Sequence, residues 1–230
     1  GKSSRMGEDK SLLPFSSSKT LTQFQYQRLK PYFKNIYLSS KVNKFDFITE
    51  NELILDENKD VFSPILALNT IFDKLKDQKI FIITVDTPFV SIDSISKLIS
   101  ESKDVDICIA QTEKTHNLCG VFSSTISSTI KNMIENDIHK IAYLIRNNKF
   151  KMIHFHDDQE FLNINNKDDY EKSFEYISKY NNQYAELFYK LFGEEYDGAM
   201  MDFVKEMIRD SYLSYVSASN VSQKEYRANY

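Results

Sequence analysis

Three short stretches carry residues whose types and spacing could do chemistry. The chain opens with "GKSSRMGEDKSLLPF", Gly1 to Phe15, where a Gly/Ser-rich loop is followed at once by Arg5 and Lys10. Backbone N–H groups and cations gathered in this way are how proteins grip a polyphosphate. The Gly-Lys-Ser/Thr ending of a phosphate loop is missing, since Lys10 follows Asp9 and precedes "SLLPF". The second stretch, "ITVDTPF", sets Asp86 just past an apolar run. A carboxylate at such a position can hold magnesium through one or two oxygens while water and phosphate fill the remaining places. Pro88 turns Thr87 away from helical geometry and keeps that turn open. The third, "FLNINNKDDY", alternates Phe161, Leu162 and Ile164 with Asn163 and Asn165 ahead of a helix. Amide oxygens are acceptable magnesium ligands and can orient phosphates or base edges, and they also serve as plain helix caps.

Each stretch also has a purely structural reading: a solvated terminus, an Asp-turn closing a strand, and capping asparagines. Phosphate handling is the chemistry that all three share. His154 and His156 lie on one face of a strand end in "IHFHDD" but lack a third ligand close in sequence. Cys108 and Cys119 sit in apolar surroundings without the paired short spacing of zinc ligands, which fits a reduced, cytoplasmic interior. No Gly-x-Ser-x-Gly elbow or comparable arrangement supports covalent catalysis.

Elements must position these groups. Apolar runs alternate with amphipathic stretches, the mark of a βα-type α/β domain with a largely parallel sheet. Strands are expected at Asn35–Ser39, Glu52–Leu55, Lys79–Val85, Asp106–Ala110, Cys119–Ser123 and Lys151–Phe155, the third being the most apolar and therefore central. Helical spacing covers Lys19–Phe33, Pro64–Lys76, Ile92–Ser102, Ser124–Asn136 and Ile138–Asn147, and a further helix starts after Ile164 with Asn165 or Asn166 as its N-cap. From Tyr180 the chain turns Tyr/Phe/Met-rich, with Gly193 and Gly198 as punctuation, and ends polar. Residues 180–230 are expected to be a helical appendage whose apolar stripe needs a partner surface.

At 230 residues the chain can bury one sizeable core, and a net charge of −4 argues against a broad nucleic-acid footprint. No stretch approaches the roughly 20 apolar residues of a membrane span, and the first residues lack the apolar run of a signal peptide.

In this order the three stretches resemble the molybdenum cofactor guanylyltransferase (MobA) family, within the Rossmann-like nucleotidyltransferase fold shared with sugar-nucleotide pyrophosphorylases. Gly1, Ser3, Arg5, Met6, Gly7, Asp9 and Lys10 match the family's opening motif; Asp86, Pro88 and Phe89 match its Asp-x-Pro-Phe; Phe161, Asn163, Ile164, Asn165 and Asp169 match its closing Phe-x-Asn-Ile-Asn-x-x-x-Asp. "LCGVF", Leu118 to Phe122, is similar to its leucine-cysteine-glycine strand. The resemblance spans residues 1–179, which it makes the nucleotidyltransferase domain, and implies a mostly parallel sheet with helices on both faces.

The family has a strand and one more glycine before the position of Gly1, and the expectation is that these lie upstream of the sequence given. Ser63 and Ala67 replace glycines of the family's Gly-Pro-Leu-x-Gly, so the resemblance does not carry over a close approach of nucleotide to that helix start. It does imply transfer of GMP from GTP to molybdenum-bound molybdopterin, with release of pyrophosphate. Arg5, Lys10 and Asp86 would be catalytic, Mg2+ would sit on Asp86 and Asn165, and Gly1, Ser3, Gly7, Lys10, Asp56, Asn163 and Asn165 would bind the nucleotide. Alternatives are a CTP- or UTP-dependent relative acting on another phosphorylated acceptor, and a non-catalytic nucleotide-binding or docking module. The 180–230 segment would then meet a molybdoenzyme or chaperone, or mediate self-association.

Overall fold

The computed structural model describes residues 9–16, 18–57, 61–76, 78–174 and 176–177. The first eight residues and the expected 180–230 appendage lie outside the described residues. The chain forms two compact units, which among the described residues are 37–162 and a second unit combining 9–36 with 163–177.

In the first unit, strands β1 (Leu38–Ser40) and β2 (Leu53–Leu55) pair in parallel. Four more strands, β3 (Lys79–Ile82), β4 (Ile107–Gln111), β5 (Thr115–Ser123) and β6 (Phe150–His154), form a sheet in the order β3-β5-β4-β6. The expectation of a largely parallel sheet is corrected here. β4 and β6 are parallel, but β5 runs antiparallel to both β3 and β4. Only Thr112–Lys114 separate β4 from β5, and so short a connection joins antiparallel neighbours. The central place given to the third strand is corrected as well. Among the described residues β3 ends the four-strand row and is half-exposed, whereas β4 is buried over Ile107–Ala110. Position in a sheet follows from pairing, which apolarity alone does not report.

Helices cover both faces of this sheet. Helices α2 (Pro64–Leu75), α4 (Ser127–Glu135) and α5 (Ile141–Arg146) share one core with Ile107 and Ile109 of β4 and Phe122 of β5. Cys108 and Ala110 alternate to the opposite side of β4, and α3 (Ile92–Glu101) packs on β4 and β5 with Ile95 and Leu98 buried. Within β5, Ile109 pairs with Gly120 but Ala110 pairs with His116, so Asn117, Leu118 and Cys119 bulge out of register. Gly120 stands at the edge of the bulge, where the strands approach so closely that a Cβ would stand 2.1 Å from the Cys108 carbonyl oxygen.

The second unit joins two segments distant in sequence. Helix α1 (Leu21–Leu29) is capped by the Thr20 hydroxyl, which accepts from Gln23 N at 3.0 Å. Phe15, fully buried, meets Phe24 edge-on with centroids 4.9 Å apart, and Tyr170 and Phe174 at 6.3 and 5.9 Å. The Tyr170 hydroxyl donates to the Pro14 carbonyl. Residues 167–174 are helical, and Asn166 Oδ1 accepts from Asp169 N at 2.8 Å, which makes Asn166 the N-cap. Among the described residues no helix is long and apolar enough to cross a membrane.

Candidate active site

Lys10 opens a single 3-10 turn, Lys10–Leu12, and its place is set by the residue before it. Asp9 Oδ1 accepts from Ser11 N at 3.1 Å and from Ser11 Oγ at 2.6 Å, and Thr22 Oγ1 of α1 donates to Ser11 O at 2.7 Å. The turn thereby delivers Lys10 Nζ to the third stretch: it donates to Ile164 O at 3.3 Å and to Asn165 Oδ1 at 3.5 Å. Two stretches 155 residues apart in sequence meet at one ammonium group. The neighbouring asparagines divide the two roles weighed for them. Asn166 caps the helix, while the Asn165 side chain turns to Lys10. Asp169 braces the loop between them, its Oδ2 accepting from Asn165 N at 2.9 Å and from Asn166 N at 3.2 Å. Asn163 lies half-buried at the start of this loop, next to fully buried Ile164.

Asp86 belongs to the other unit. β3 stops at Ile82, earlier than the expected Val85, and the chain closes a turn from Thr84 to Thr87. Thr87 donates to Thr84 O through its backbone N–H at 3.3 Å and its hydroxyl at 3.0 Å, while the Thr84 hydroxyl donates to Asp86 Oδ1. Buried Pro88 and Val90 anchor the exit from the turn, and the aspartate is held at its tip, half-buried. Asp56 leaves the carboxyl end of β2. Its N–H continues the ladder to Ser40 O at 2.9 Å, and Ser39 Oγ donates to its Oδ1 at 3.1 Å. Both aspartates thus follow the carboxyl ends of strands, where open α/β sheets bind ligands.

Gly1, Ser3, Arg5 and Gly7 lie outside the described residues. The structure brings Lys10 together with Asn165, Asp56 with Ser39, and Asp86 with Thr84. Thr84 and Ser39, the two supporting hydroxyls, are not marked by the motifs, whereas Asp9 and Asp169 belong to them and brace the loops that carry Lys10 and Asn165. A hydroxyl two residues before Asp86 is the short-range signal that points to Thr84.

Ser63 shows what its replacement of a glycine does. It caps α2, its Oγ accepting from Ile65 N at 3.2 Å and Leu66 N at 3.4 Å, and His139 Nδ1 lies 2.8 Å from the same oxygen. His139 Nε2 in turn lies 2.8 Å from Asp137 Oδ1. The first amides of α2 are therefore engaged by the chain's own hydroxyl. His154 and His156 form an edge-on pair with ring centroids 5.3 Å apart. Burial pushes the Cys108 thiol up, away from the nucleophilic thiolate form.

Magnesium asks for hard oxygen donors, a demand that the Asp86 carboxylate fits by type; the Asn165 amide oxygen is also such a donor and accepts from Lys10. Among the described residues no three His, Cys, Asp or Glu side chains gather as a metal cage.

Known proteins resemble this chain over most of its length. The model of the MobA-like NTP transferase domain matches residues 1–150. The molybdenum cofactor guanylyltransferase of Campylobacter jejuni subsp. jejuni serotype O:6 is 39% identical over 175 residues, covering 75% of this chain and 90% of that protein. The protein of the same name from Helicobacter pylori strain G27 is 30% identical over 188 residues, covering 79% and 92%. The crystal structure of molybdopterin-guanine dinucleotide biosynthesis protein A from Archaeoglobus fulgidus superposes with a TM-score of 0.64 over 78% of this chain and 95% of that one; at 18% identity it speaks for the fold alone. With a matching domain model over most of the chain and relatives aligned over nearly their whole length, this chain belongs to the MobA-like NTP transferases of the molybdenum cofactor guanylyltransferase family.

Proposed function

We propose that the chain transfers GMP from GTP to the terminal phosphate of molybdenum-bound molybdopterin, releasing pyrophosphate and forming the guanine dinucleotide cofactor. A phosphate oxygen of the pterin attacks the α-phosphorus in line. The bond from that phosphorus to the bridging oxygen breaks, and its electron pair leaves with pyrophosphate. Such a transfer asks the protein for alignment and charge neutralisation rather than covalent chemistry.

The observation that carries the reading is the Lys10 contact with Ile164 O and Asn165 Oδ1, which joins the opening and closing motifs in one place. Lys10, with Arg5, balances negative charge on the transferred and leaving groups. Asp56 accepts from the ribose or the base, and Gly1, Ser3, Gly7 and Asn163 contribute to the nucleotide site. Asp86 and Asn165 would hold Mg2+, which when bound neutralises phosphate oxygens. The Thr84 hydroxyl orients the Asp86 carboxylate, and Asp169 keeps Asn165 presented.

The test is pyrophosphate release across the four nucleoside triphosphates with molybdenum-loaded molybdopterin as acceptor. GTP alone should turn over. Turnover with CTP or UTP instead would move the chain to a related transferase, and GTP binding without turnover would make it a docking module.

A further inference from the structure

We infer that Phe62, braced by Lys41, is the shelf on which the nucleobase of the triphosphate stacks, beside the Asp56 carboxylate. The inference deepens the nucleotidyl-transfer reading and rests on it.

It begins with the parallel pair β1–β2. Ser40 stands opposite Leu55, and Asp56 N bonds to Ser40 O at 2.9 Å, so Lys41 and Asp56 leave the same end of the pair side by side. From there the Lys41 ammonium donates to Val61 O at 2.7 Å and lies 3.7 Å from the centroid of the Phe62 ring. The hydrogen bond fixes the backbone before Phe62 and the cation holds the ring, yet Phe62 remains 51% exposed. Val61, the residue before it, is exposed as well, as is Leu55 at the end of β2. An aromatic ring held in place while half in water, with further exposed apolar side chains and a charged border, is the kind of surface that marks a ligand site.

The occupant is identified by the acceptor that leaves the strand pair beside Lys41. The Asp56 carboxylate, oriented by Ser39 Oγ at 3.1 Å, is an acceptor within the same strand-end surface. A flat π-face with hydrogen-bond donors on its edge matches an apolar shelf bordered by a carboxylate, and guanine is such a ring. An apolar peptide or lipid would bring nothing to pair with the carboxylate and would leave it desolvated.

Isothermal titration of the full chain with GTP and, separately, with inorganic tripolyphosphate tests the shelf, because only GTP carries the base. Phe62→Ala should raise the Kd for GTP about tenfold and leave that for tripolyphosphate unmoved, with Phe62→Trp or Phe62→Tyr restoring most of the loss. Lys41→Met should give a smaller rise, of about threefold, that vanishes in the Phe62→Ala background. An unchanged Kd for GTP in Phe62→Ala overturns the shelf and leaves the transfer reading standing. Equal losses for GTP and tripolyphosphate also overturn it, since they mean a disturbed loop rather than a lost stack. A wild-type chain that binds no triphosphate overturns both.

Discussion

Replacing Gly120 by alanine puts the packing of the central strands to a direct test. The new Cβ would stand 2.1 Å from Cys108 O, 2.8 Å from Ile109 Cα and 2.9 Å from Ile109 Cγ2. Two of these three atoms are backbone of β4, buried on both faces, so no side chain can swing aside to make room. The strands must separate by roughly 1 Å to reach ordinary van der Waals contact. That stretches the β4–β5 ladder where Ile109 faces Gly120, and β3 on the other side, where Ile82 faces the same residue, must follow or let go. One or two weakened ladder bonds at about 1 kcal/mol each, together with overpacking of about 1–3 kcal/mol, give an expected loss of about 3 kcal/mol. For a chain of this size that is a fall in the melting midpoint of about 10 °C. The chain has no tryptophan, so far-UV circular dichroism during urea and thermal unfolding is the suitable signal. A Gly120→Ala chain with unchanged midpoint and unchanged urea slope would refute the reasoning, because it would mean that β5 can move off β4 at no cost. Cys119→Ala, one residue away, only removes atoms and should cost less than half as much.

The remaining predictions concern charge, protonation and capping. Lys10→Met and Asp86→Ala should each cut guanylyl transfer by about 100-fold or more while the melting midpoint stays within about 2 °C of wild type; unchanged turnover in either contradicts the assigned roles. Burial lowers the His116 pKa from 6.5, so the unfolded chain takes up this proton at higher pH than the folded one, and the histidine's contribution to stability is lost as pH falls below about 6.5. His116 also packs on Phe161 with centroids 4.8 Å apart, so His116→Phe, which keeps an aromatic ring, should flatten the acid-side slope, by at most ~1.4 kcal/mol per pH unit; urea melts from pH 5 to 8 measure it. Ser63→Ala should cost about 1 kcal/mol of stability through loss of the α2 cap and Ser63→Gly only a few tenths, read from the same melts.

Element positions were legible because they rest on local rules. The strand and helix centres fall where alternation and helical spacing put them, and the Asn-Asn-x-x-Asp run announces a cap whose geometry Asn166 and Asp169 carry out. What stayed hidden depends on pairing. Nothing in "KIFIITV" says that β3 ends a four-strand row, because an apolar run reports burial on its faces and not the number of its neighbours. The antiparallel β5 was equally concealed, although the shortness of Thr112–Lys114 was there to be weighed against the βα rhythm.

The functional residues divide along the same line. Asp86 and Asp56 could be named from strand ends, but the hydroxyls that aim them, Thr84 and Ser39, sit two residues away in one case and on another strand in the other. The first is a local signal that reads as turn chemistry, and the second exists only once β1 and β2 are in register. Lys10 makes the point most strongly. Its family motif marks it as a cation for phosphate, yet the partner that sets its position, Asn165, is supplied by a loop more than 150 residues on, and by an asparagine that local physics could equally assign to capping. The role of each asparagine follows only from which helix start Asp169 fixes. Asn166 therefore takes the cap, and the asparagine before it is left to face the lysine.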